Sequence, residues 1–268
     1  MHKRSIALGL SMLAAVAFAP AAEAQQSTAP IWAVHRSVKV NPGKNAEFTK
    51  LYATTIKRFH QARKEGGAQI GWMLAKMLIP AGEEAPYHYV STTFHDKFPE
   101  LDQIPEQMAP FIEKAGTTPE KFLAALNDVS TLVRRSVSRG IETVGVVEPG
   151  DYVRVDFMKV AQGKAGDYVD LERTIYKSLH EQRLKDGLIS AWGFSYVTMP
   201  GGSDRPFDFF TTNAVKKSEL IPRLTGGYGA EAFSKVHPNV NYVGTVMKTQ
   251  ELRTIVRSYL MRVVEVMR

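Results

Sequence analysis

The second half of this chain repeats the first half at an offset of 120 residues. Without a gap, residues 38–93 align with residues 158–213, and 15 of these 56 positions are identical, where average composition would give about 3 or 4. Numbered in the first copy, the identical positions are Lys39, Val40, Gly43, Lys44, Leu51, Thr54, Lys57, His60, Arg63, Gly67, Trp72, Pro80, Gly82, Pro86 and Thr92. Near the end of each copy the offset becomes 123, which aligns Arg134 with Arg257. A period this long indicates two duplicated domains rather than a solenoid of short repeats.

Both copies predict the same order of secondary structure. A first strand rich in β-branched and aromatic residues leads through a Gly-Lys turn into a helix, where Phe48, Leu51, Thr55 and Phe59 recur at helical spacing. The predicted strands cover 31–40, 69–79, 86–94 and 129–147 in the first copy and 152–160, 188–199, 206–215 and 251–267 in the second. Second helical regions are predicted over 105–127 and 218–235. The order β-α-β-β-α-β is that of a ferredoxin-like module.

A ferredoxin-like sheet carries helices on one face only, so its other apolar face must be covered. Two sheets that face each other cover one another. The sequence therefore predicts an α+β fold in which tandem modules, residues 25–148 and 149–268, form an intramolecular, pseudo-dimeric α+β barrel. Because both sheets belong to one chain, folding does not require dimerisation, and either a monomer or a homodimer is compatible with this arrangement.

The turn between the first strand and helix carries a local motif in each copy. It reads Gly43-Lys44-Asn45-Ala46-Glu47-Phe48 in the first and Gly163-Lys164-Ala165-Gly166-Asp167-Tyr168 in the second. With the topology of the two copies, this motif resembles the dimeric α+β barrel superfamily, which includes antibiotic-biosynthesis monooxygenase-like, EthD-like and NIPSNAP-like proteins. The resemblance implies the barrel fold, and by architecture it extends to haem proteins of the chlorite-dismutase-like type. Cofactor-free oxygenases of the superfamily tend to use a lumenal Asn, which the first strands here lack.

The N-terminal residues predict export. A basic start, His2-Lys3-Arg4, precedes an apolar run over 6–19 and the small residues of Ala22-Glu23-Ala24, which is the pattern of a secretory signal peptide over 1–24. We expect a periplasmic or secreted protein with no membrane insertion after cleavage. The chain has no cysteine, which excludes thiolate zinc sites and cysteine nucleophiles, and its net charge of +7 is not concentrated in a nucleic-acid-binding stripe.

The lumen between the two sheets is the predicted small-molecule site, because such a space is concave and largely apolar. Alternation in the fifth strand puts the apolar Val153, Val155 and Phe157 under the helices and Arg154 and Asp156 in the lumen. The same register in the first copy directs Arg36 into the lumen and leaves His35 on the helix side, a placement that leaves the lumenal face of the first module open. The residues predicted to bind a ligand are Arg36, Arg134, Arg154, Arg257, Tyr259, Trp72 and Trp192. For the tryptophans, core packing is the alternative, and for the arginines, an ion-pair network that fixes strand register.

These features favour an exported protein that binds a small, partly aromatic molecule, either neutral or anionic, in the lumen. One alternative is a cofactor-independent monooxygenase or isomerase acting on a hydrophobic substrate, with His88, Asp156, Asp208 or Tyr196 as acid or base. A second is a haem-binding protein, suggested by architecture alone. No histidine pair has a metal-binding spacing, so no metal site and no cofactor are predicted, and whether the protein is an enzyme stays open.

Overall fold

The computed structural model describes residues 31–101, 105–202, 205–225 and 229–268; the predicted signal peptide lies outside them. The first module follows the predicted order of elements. They are β1 (Trp32–Val40), α1 (Asn45–Leu51), a π-helical turn (Tyr52–Ile56), α2 (Lys57–Glu65), β2 (Gly71–Ile79), a 3-10 turn (Gly82–Glu84), β3 (Tyr89–His95), α3 (Pro105–Lys114), α4 (Pro119–Val129) and β4 (Ser130–Gly145). α4 begins with Pro119 directly after Thr118, whose side chain accepts a hydrogen bond from the backbone N–H of Lys121.

The second module repeats this order with a different second helical region. Its elements are β5 (Tyr152–Val160), α5 (Ala165–Leu171), a π-helical turn (Glu172–Tyr176), α6 (Lys177–Lys185), β6 (Ala191–Met199), β7 (Phe209–Val215), a 3-10 turn (Ser218–Leu220), α7 (Pro222–Thr225), α8 (Ala230–Val236), α9 (Tyr242–Leu252) and β8 (Arg253–Met267). The prediction of one helical region ending at 235 missed α9, which is capped by the side chain of Asn241 accepting from the backbone N–H of Gly244.

The eight strands form a closed antiparallel barrel in the order β1-β3-β2-β8-β5-β7-β6-β4. Each module contributes four neighbouring strands, with its own last strand beside its first. The modules join along two seams, where β2 pairs with β8 and β4 pairs with β6. The predicted fold, two ferredoxin-like modules closing one α+β barrel within a single chain, is confirmed.

The prediction of which β5 side chains face the lumen is wrong. Val153, Val155 and Phe157 pack inside the barrel with apolar side chains of β8 and β2. Arg154 lies on the opposite, helix-covered side, where its Nη1 donates to the carbonyl oxygen of Leu224 at 2.7 Å. In a closed barrel both faces of each strand are covered, so an apolar set of side chains does not distinguish the helix side from the interior.

The same inversion applies to β1. Val38 belongs to the core between the sheet and the helices, and Arg36 borders a cavity on that side. His35 instead lies inside the barrel, where its ring nitrogens contact Ser138 Oγ at 2.8 Å and Thr92 Oγ1 at 3.1 Å. Burial lowers the pKa of His35 to about 4, so this interior imidazole is neutral near pH 7.

Apolar side chains fill much of the barrel interior. They come from strands of both modules and pack as two adjoining clusters. Their members include Ala75, Met77, Val90, Val153, Val155, Phe157, Ala191, Ala214, Tyr259, Met261 and Val263. The interior therefore serves as a shared hydrophobic core that holds the two modules together.

Candidate functional site

A cavity of about 380 Å³ lies in the first module, between the outer face of the sheet and the helices. Its size falls within the usual range for small-molecule sites. β1, β3 and β4 supply its floor, α2 and the π-helical turn one wall, and α3 and α4 the roof. The lining residues are Arg36, Val38, Tyr52, Ile56, Phe59, His60, Ser91, Leu101, Met108, Phe122, Leu123, Leu126, Asn127, Ser130, Leu132 and Arg135. The lining combines apolar side chains with the polar or charged residues Arg36, His60, Ser91, Asn127, Ser130 and Arg135.

Arg36 places a positive charge at the floor of this cavity. Its side chain is largely withdrawn from bulk water, and among the described residues no hydrogen bond or ion pair engages its guanidinium. Burial and the nearby Arg135 lower the pKa of Arg36, while Tyr52 raises it. Guanidinium remains charged in proteins, so this cation has no ion-pair partner among the described residues. An anion that enters the cavity can therefore pair with it.

His60 borders the same cavity as a neutral imidazole with a defined tautomer. Gln69 Oε1 accepts a hydrogen bond from Arg63 Nε at 3.0 Å and lies 3.2 Å from His60 Nδ1. Because an amide oxygen can only accept, Nδ1 carries the proton and Nε2 carries the lone pair. Burial, with the charges of Arg63 and Arg36, lowers the pKa of His60 to about 3 despite the Gln69 contact. The ring stacks on Trp72, with centroids 4.6 Å apart.

Tyr52 contributes a hydroxyl from the π-helical turn. Burial raises its pKa to about 12, although the charge of Arg36 acts in the opposite direction, so the hydroxyl stays protonated and can donate. Its ring stacks on Phe48 at 4.2 Å, which fixes the side chain against the core. Single π-helical turns within α-helices occur frequently at functional sites, and here the turn directs Tyr52 and Ile56 to the cavity wall.

The equivalent region of the second module supplies its own counter-charges. Asp156 stands at the position of Arg36, and its Oδ1 pairs with Arg154 Nε at 2.8 Å and accepts from Ser258. Arg154 also reaches the Leu224 carbonyl in α7. These bonds tie β5 and β8 to the helical layer, so the cation here is internally neutralised.

Glu172 stands at the position of Tyr52 and is buried in the second module. Burial raises its pKa to about 7, although a hydrogen bond with Tyr168 and the charge of Arg253 act in the opposite direction. Tyr168 Oη also contacts Met158 Sδ at 2.8 Å. In the second module, side chains at and around this position therefore contact one another.

The candidate catalytic residues hold the strands in place. His88 Nδ1 accepts a hydrogen bond from the backbone N–H of Val40, and Asp208 Oδ2 accepts one from Val160 at the matching position. Asp208 also pairs with Arg205 Nε at 2.7 Å, and Arg205 Nη1 donates to Tyr196 Oη at 3.1 Å. Asp156 and Asp208 thus belong to two separate ion pairs rather than to one polar cluster.

The remaining predicted ligand-binding residues lie apart from the cavity. Trp72 and Trp192 are buried in the cores under the helices, and Trp72 Nε1 donates to Ser91 Oγ at 2.8 Å. Arg134, Arg257 and Tyr259 lie at one end of the barrel. Of the predicted ligand-binding residues, Arg36 alone is part of the cavity lining.

Sequence reasoning missed several groups of the cavity. Arg135 follows the predicted Arg134, and Tyr52 and Ile56 lie in the π-helical turn, which no pattern indicated. His60 is one of the positions that are identical in the two copies, which by itself assigned it no role. One usable signal was the comparison of the two copies, because Tyr52 faces Glu172 in the alignment, as Arg36 faces Asp156.

The described residues contain no group of three or more His, Asp or Glu side chains placed to hold a metal ion. Haem requires fewer protein ligands than such a metal site, since a single imidazole can ligate its iron. His60 supplies a neutral imidazole whose Nε2 makes no hydrogen bond among the described residues, and Arg36 and Arg135 are cations suited to propionates. These three residues would hold the iron and the propionates if haem were bound in this cavity. No helix in the described part of the chain is long and apolar enough to cross a bilayer.

No protein-family profile and no curated protein sequence matches this chain. Solved structures do. A proposed monooxygenase from Fusobacterium nucleatum subsp. nucleatum superposes with a TM-score of 0.55 at 9% identity, covering 89% of this chain and 94% of that one. An anthrone oxidase-like protein superposes with a TM-score of 0.50 at 9% identity, covering 90% and 93%.

At such low identity these similarities concern the fold, which agrees with the strand order and the two seams described above. The chain has the fold of the dimeric α+β barrel superfamily, with both halves of the barrel supplied by one polypeptide.

Proposed function

We propose that this protein binds a small amphipathic anion, with its acidic group at Arg36 and its apolar part in the cavity of the first module. The observation that carries this proposal is the half-buried Arg36 guanidinium at the floor of the cavity, which has no hydrogen-bond or ion-pair partner among the described residues. The proposed site lies between sheet and helices, not in the barrel interior, which apolar side chains largely fill.

The chemistry of the lining defines the ligand class. A guanidinium binds a carboxylate through two parallel hydrogen bonds, and the protonated Tyr52 hydroxyl adds a donor. Phe59, Phe122 and Leu126 offer apolar surface for an alkyl or aryl group. The formal net charge of +7 favours the approach of anions.

Binding is better supported than catalysis. His60 is the imidazole that borders the cavity, and a pKa of about 3 makes it a weak proton acceptor near neutral pH. The similarity to a proposed monooxygenase supplies a fold in which small molecules are handled, and it assigns no reacting group to this chain. We further infer from the signal-peptide pattern of residues 1–24 that the protein acts outside the cytoplasm.

Calorimetric titration with octanoate and 4-phenylbutanoate tests the proposed site. Arg36→Met is expected to weaken binding by about tenfold or more, because it removes a charged hydrogen-bond donor of similar length. The variant should fold at least as stably as the wild type, since it replaces a cation that has no partner among the described residues by an apolar side chain.

Arg58→Met is the matched control, because it removes the same charge from an exposed position on α2. Its affinity should stay close to that of the wild type, and 1-octanol, which lacks the charge, should bind more weakly than octanoate. The proposal fails if neither acid binds the wild type at millimolar concentration, or if Arg36→Met binds them as the wild type does.

Haem is a second candidate ligand because of the free lone pair on His60 Nε2. Added haemin is expected to give a shifted Soret band, and His60→Gln should abolish that shift. His180→Gln alters the matching histidine, which also stacks on its tryptophan at 4.6 Å, and should preserve the spectrum. Identical spectra for the wild type and His60→Gln would exclude ligation by this residue.

A further inference from the structure

Two equivalent arginines, Arg134 and Arg257, lie at the same end of the barrel. Arg134 pairs with Ser37 of β1, and Arg257 pairs with Phe157 of β5. Neighbouring strands alternate in direction around the barrel, and β1 and β5 are four places apart, so they run the same way. Each arginine follows a residue that bulges out of its strand, where the pairing register shifts.

Aromatic rings from both modules underlie these two guanidiniums. Arg134 Cζ lies 5.1 Å from the ring centroid of Phe207, and Arg257 Cζ lies 5.8 Å from that of Tyr259. Tyr87 contacts Tyr259 edge to face at 5.8 Å, and Phe157 contacts Phe207 at 4.4 Å. Rings packed in this way restrict the arginines to the barrel end.

Neither charge is compensated within the described part of the chain, where no hydrogen bond or ion pair engages Arg134 or Arg257. Burial and the neighbouring Tyr259 raise the pKa of Tyr87 beside them, so its hydroxyl stays protonated, although the charges of both arginines act in the opposite direction. Two like charges at one end of the barrel repel each other, and an anion bound between them would remove that repulsion.

We propose that Arg134 and Arg257 form an oxyanion site of the phosphate class. A phosphate group carries up to two negative charges and accepts paired hydrogen bonds from guanidinium, which suits two arginines held over neighbouring aromatic rings at one end of the barrel. The site lies on the inner side of the sheet at the barrel end, whereas Arg36 lies on the outer side under the helices. It is therefore independent of the proposed carboxylate site.

Two sources could supply such a group: a soluble phosphate ester and the headgroup of an anionic phospholipid. The bulged residues Val133 and Val256, beside the arginines, are 49% and 46% exposed, and they would contact an apolar part of either molecule. A second copy of this chain is a poor occupant, because it would bring two further arginines against these two.

The test uses residues 25–268 of the protein and two probes. Phenyl phosphate is titrated by calorimetry, and vesicles of phosphatidylglycerol are compared with vesicles of phosphatidylcholine by cosedimentation. The double variant Arg134→Gln/Arg257→Gln should weaken binding of the responding probe by about tenfold or more. Each single variant should show an intermediate loss.

Arg139→Gln/Arg262→Gln is the matched control. These arginines lie on the same two strands and also contact aromatic rings, Trp32 at 5.8 Å and Tyr152 at 5.4 Å, but away from the Arg134/Arg257 end. This control should change affinity by less than about twofold, because general charge contributes little at a specific site.

The response to the two probes identifies the source of the phosphate group. Binding of phenyl phosphate identifies a soluble ester as the source, and binding of phosphatidylglycerol vesicles alone identifies a lipid headgroup, provided that the Arg134/Arg257 variant loses it. The proposal is overturned if the wild type binds neither probe, or if both double variants lose affinity equally. Circular dichroism of the variants verifies that they are folded.

Discussion

Replacing Trp72 with alanine is expected to lower the free energy of unfolding by about 3–5 kcal/mol. The indole is fully buried, its face lies against His60 at a centroid distance of 4.6 Å, and its N–H donates to Ser91. The substitution leaves a large cavity under α2 and removes the hydrogen bond to the hydroxyl. Because β2 pairs with β8 of the other module, the loss of stability should affect both modules.

Urea unfolding followed by circular dichroism measures this effect. Trp32→Ala is the control, because Trp32 is partly exposed at the start of β1 and packs on the exposed Phe98. Trp32→Ala should lower the free energy of unfolding by clearly less than Trp72→Ala does. A loss below about 1.5 kcal/mol for Trp72→Ala, within the range of ordinary substitutions, would contradict the packing described for this site.

Acidification is expected to destabilise the protein through its buried, neutral histidines, and His60 gives the clearest case. The pKa of His60 is lowered from 6.5 to about 3 in the folded state, so the unfolded chain takes up the proton first as pH falls. The stability it contributes is complete above pH 6.5 and is lost progressively below it. Between pH 6.5 and 4.5 this loss amounts to about 2–3 kcal/mol.

Glu172 acts with the opposite sign in the same range. Its pKa is raised from 4.5 to about 7, so its contribution is complete below pH 4.5 and is lost as pH rises through 7. The effect of His60 is therefore measured as a difference between proteins. His60→Gln should lose about 2–3 kcal/mol less than the wild type between pH 6.5 and 4.5.

Urea unfolding at these two pH values provides the measurement, and Glu172→Gln serves as the second variant. Removing the glutamate eliminates the opposing contribution, so this variant should lose more stability on acidification than the wild type. If His60→Gln and the wild type lose the same amount, His60 is not buried as a neutral imidazole.

The fold could be predicted because the duplication shows that the chain contains two sheets, each with one face that needs to be covered. Two copies of β-α-β-β-α-β leave two bare sheet faces, and mutual cover is the simplest solution. α9 was missed because Val243, Gly244, Thr245 and Val246 are weak helix formers, so the segment has no strong helical signal. Its helix depends on the Asn241 cap and on packing against α5 and α8.

The face of β5 could not be deduced from alternation. Its charged set, Arg154 and Asp156, looked unsuitable for a core, yet the two side chains neutralise each other under the helices. The apolar set packs against residues more than a hundred positions away, including Tyr259. Only the three-dimensional pairing tells which side of a fully covered strand is the interior.

The candidate site was partly visible in the sequence. Arg36 was predicted to bind a ligand because strand alternation directed it into the lumen, whereas the structure places it at the cavity on the helix side. The matching position in the second module holds Asp156, which pairs with Arg154. The alignment also pairs Tyr52 with Glu172, but only the position of the cavity connects Tyr52 and Arg135 with Arg36. The Arg36 guanidinium has no hydrogen-bond or ion-pair partner among the described residues, a fact that only the three-dimensional structure shows.

The two seams also bear on how such a molecule can diversify. In a homodimer of one module, a mutation at the position of Arg36 would appear in both subunits at once. Here β2–β8 and β4–β6 pairing preserves the dimer-like assembly within a single gene product, so each side can change on its own. Covalent linkage thus permits an asymmetry in which the first module has a cavity bordered by Arg36 and the second has an internal ion pair at the matching position.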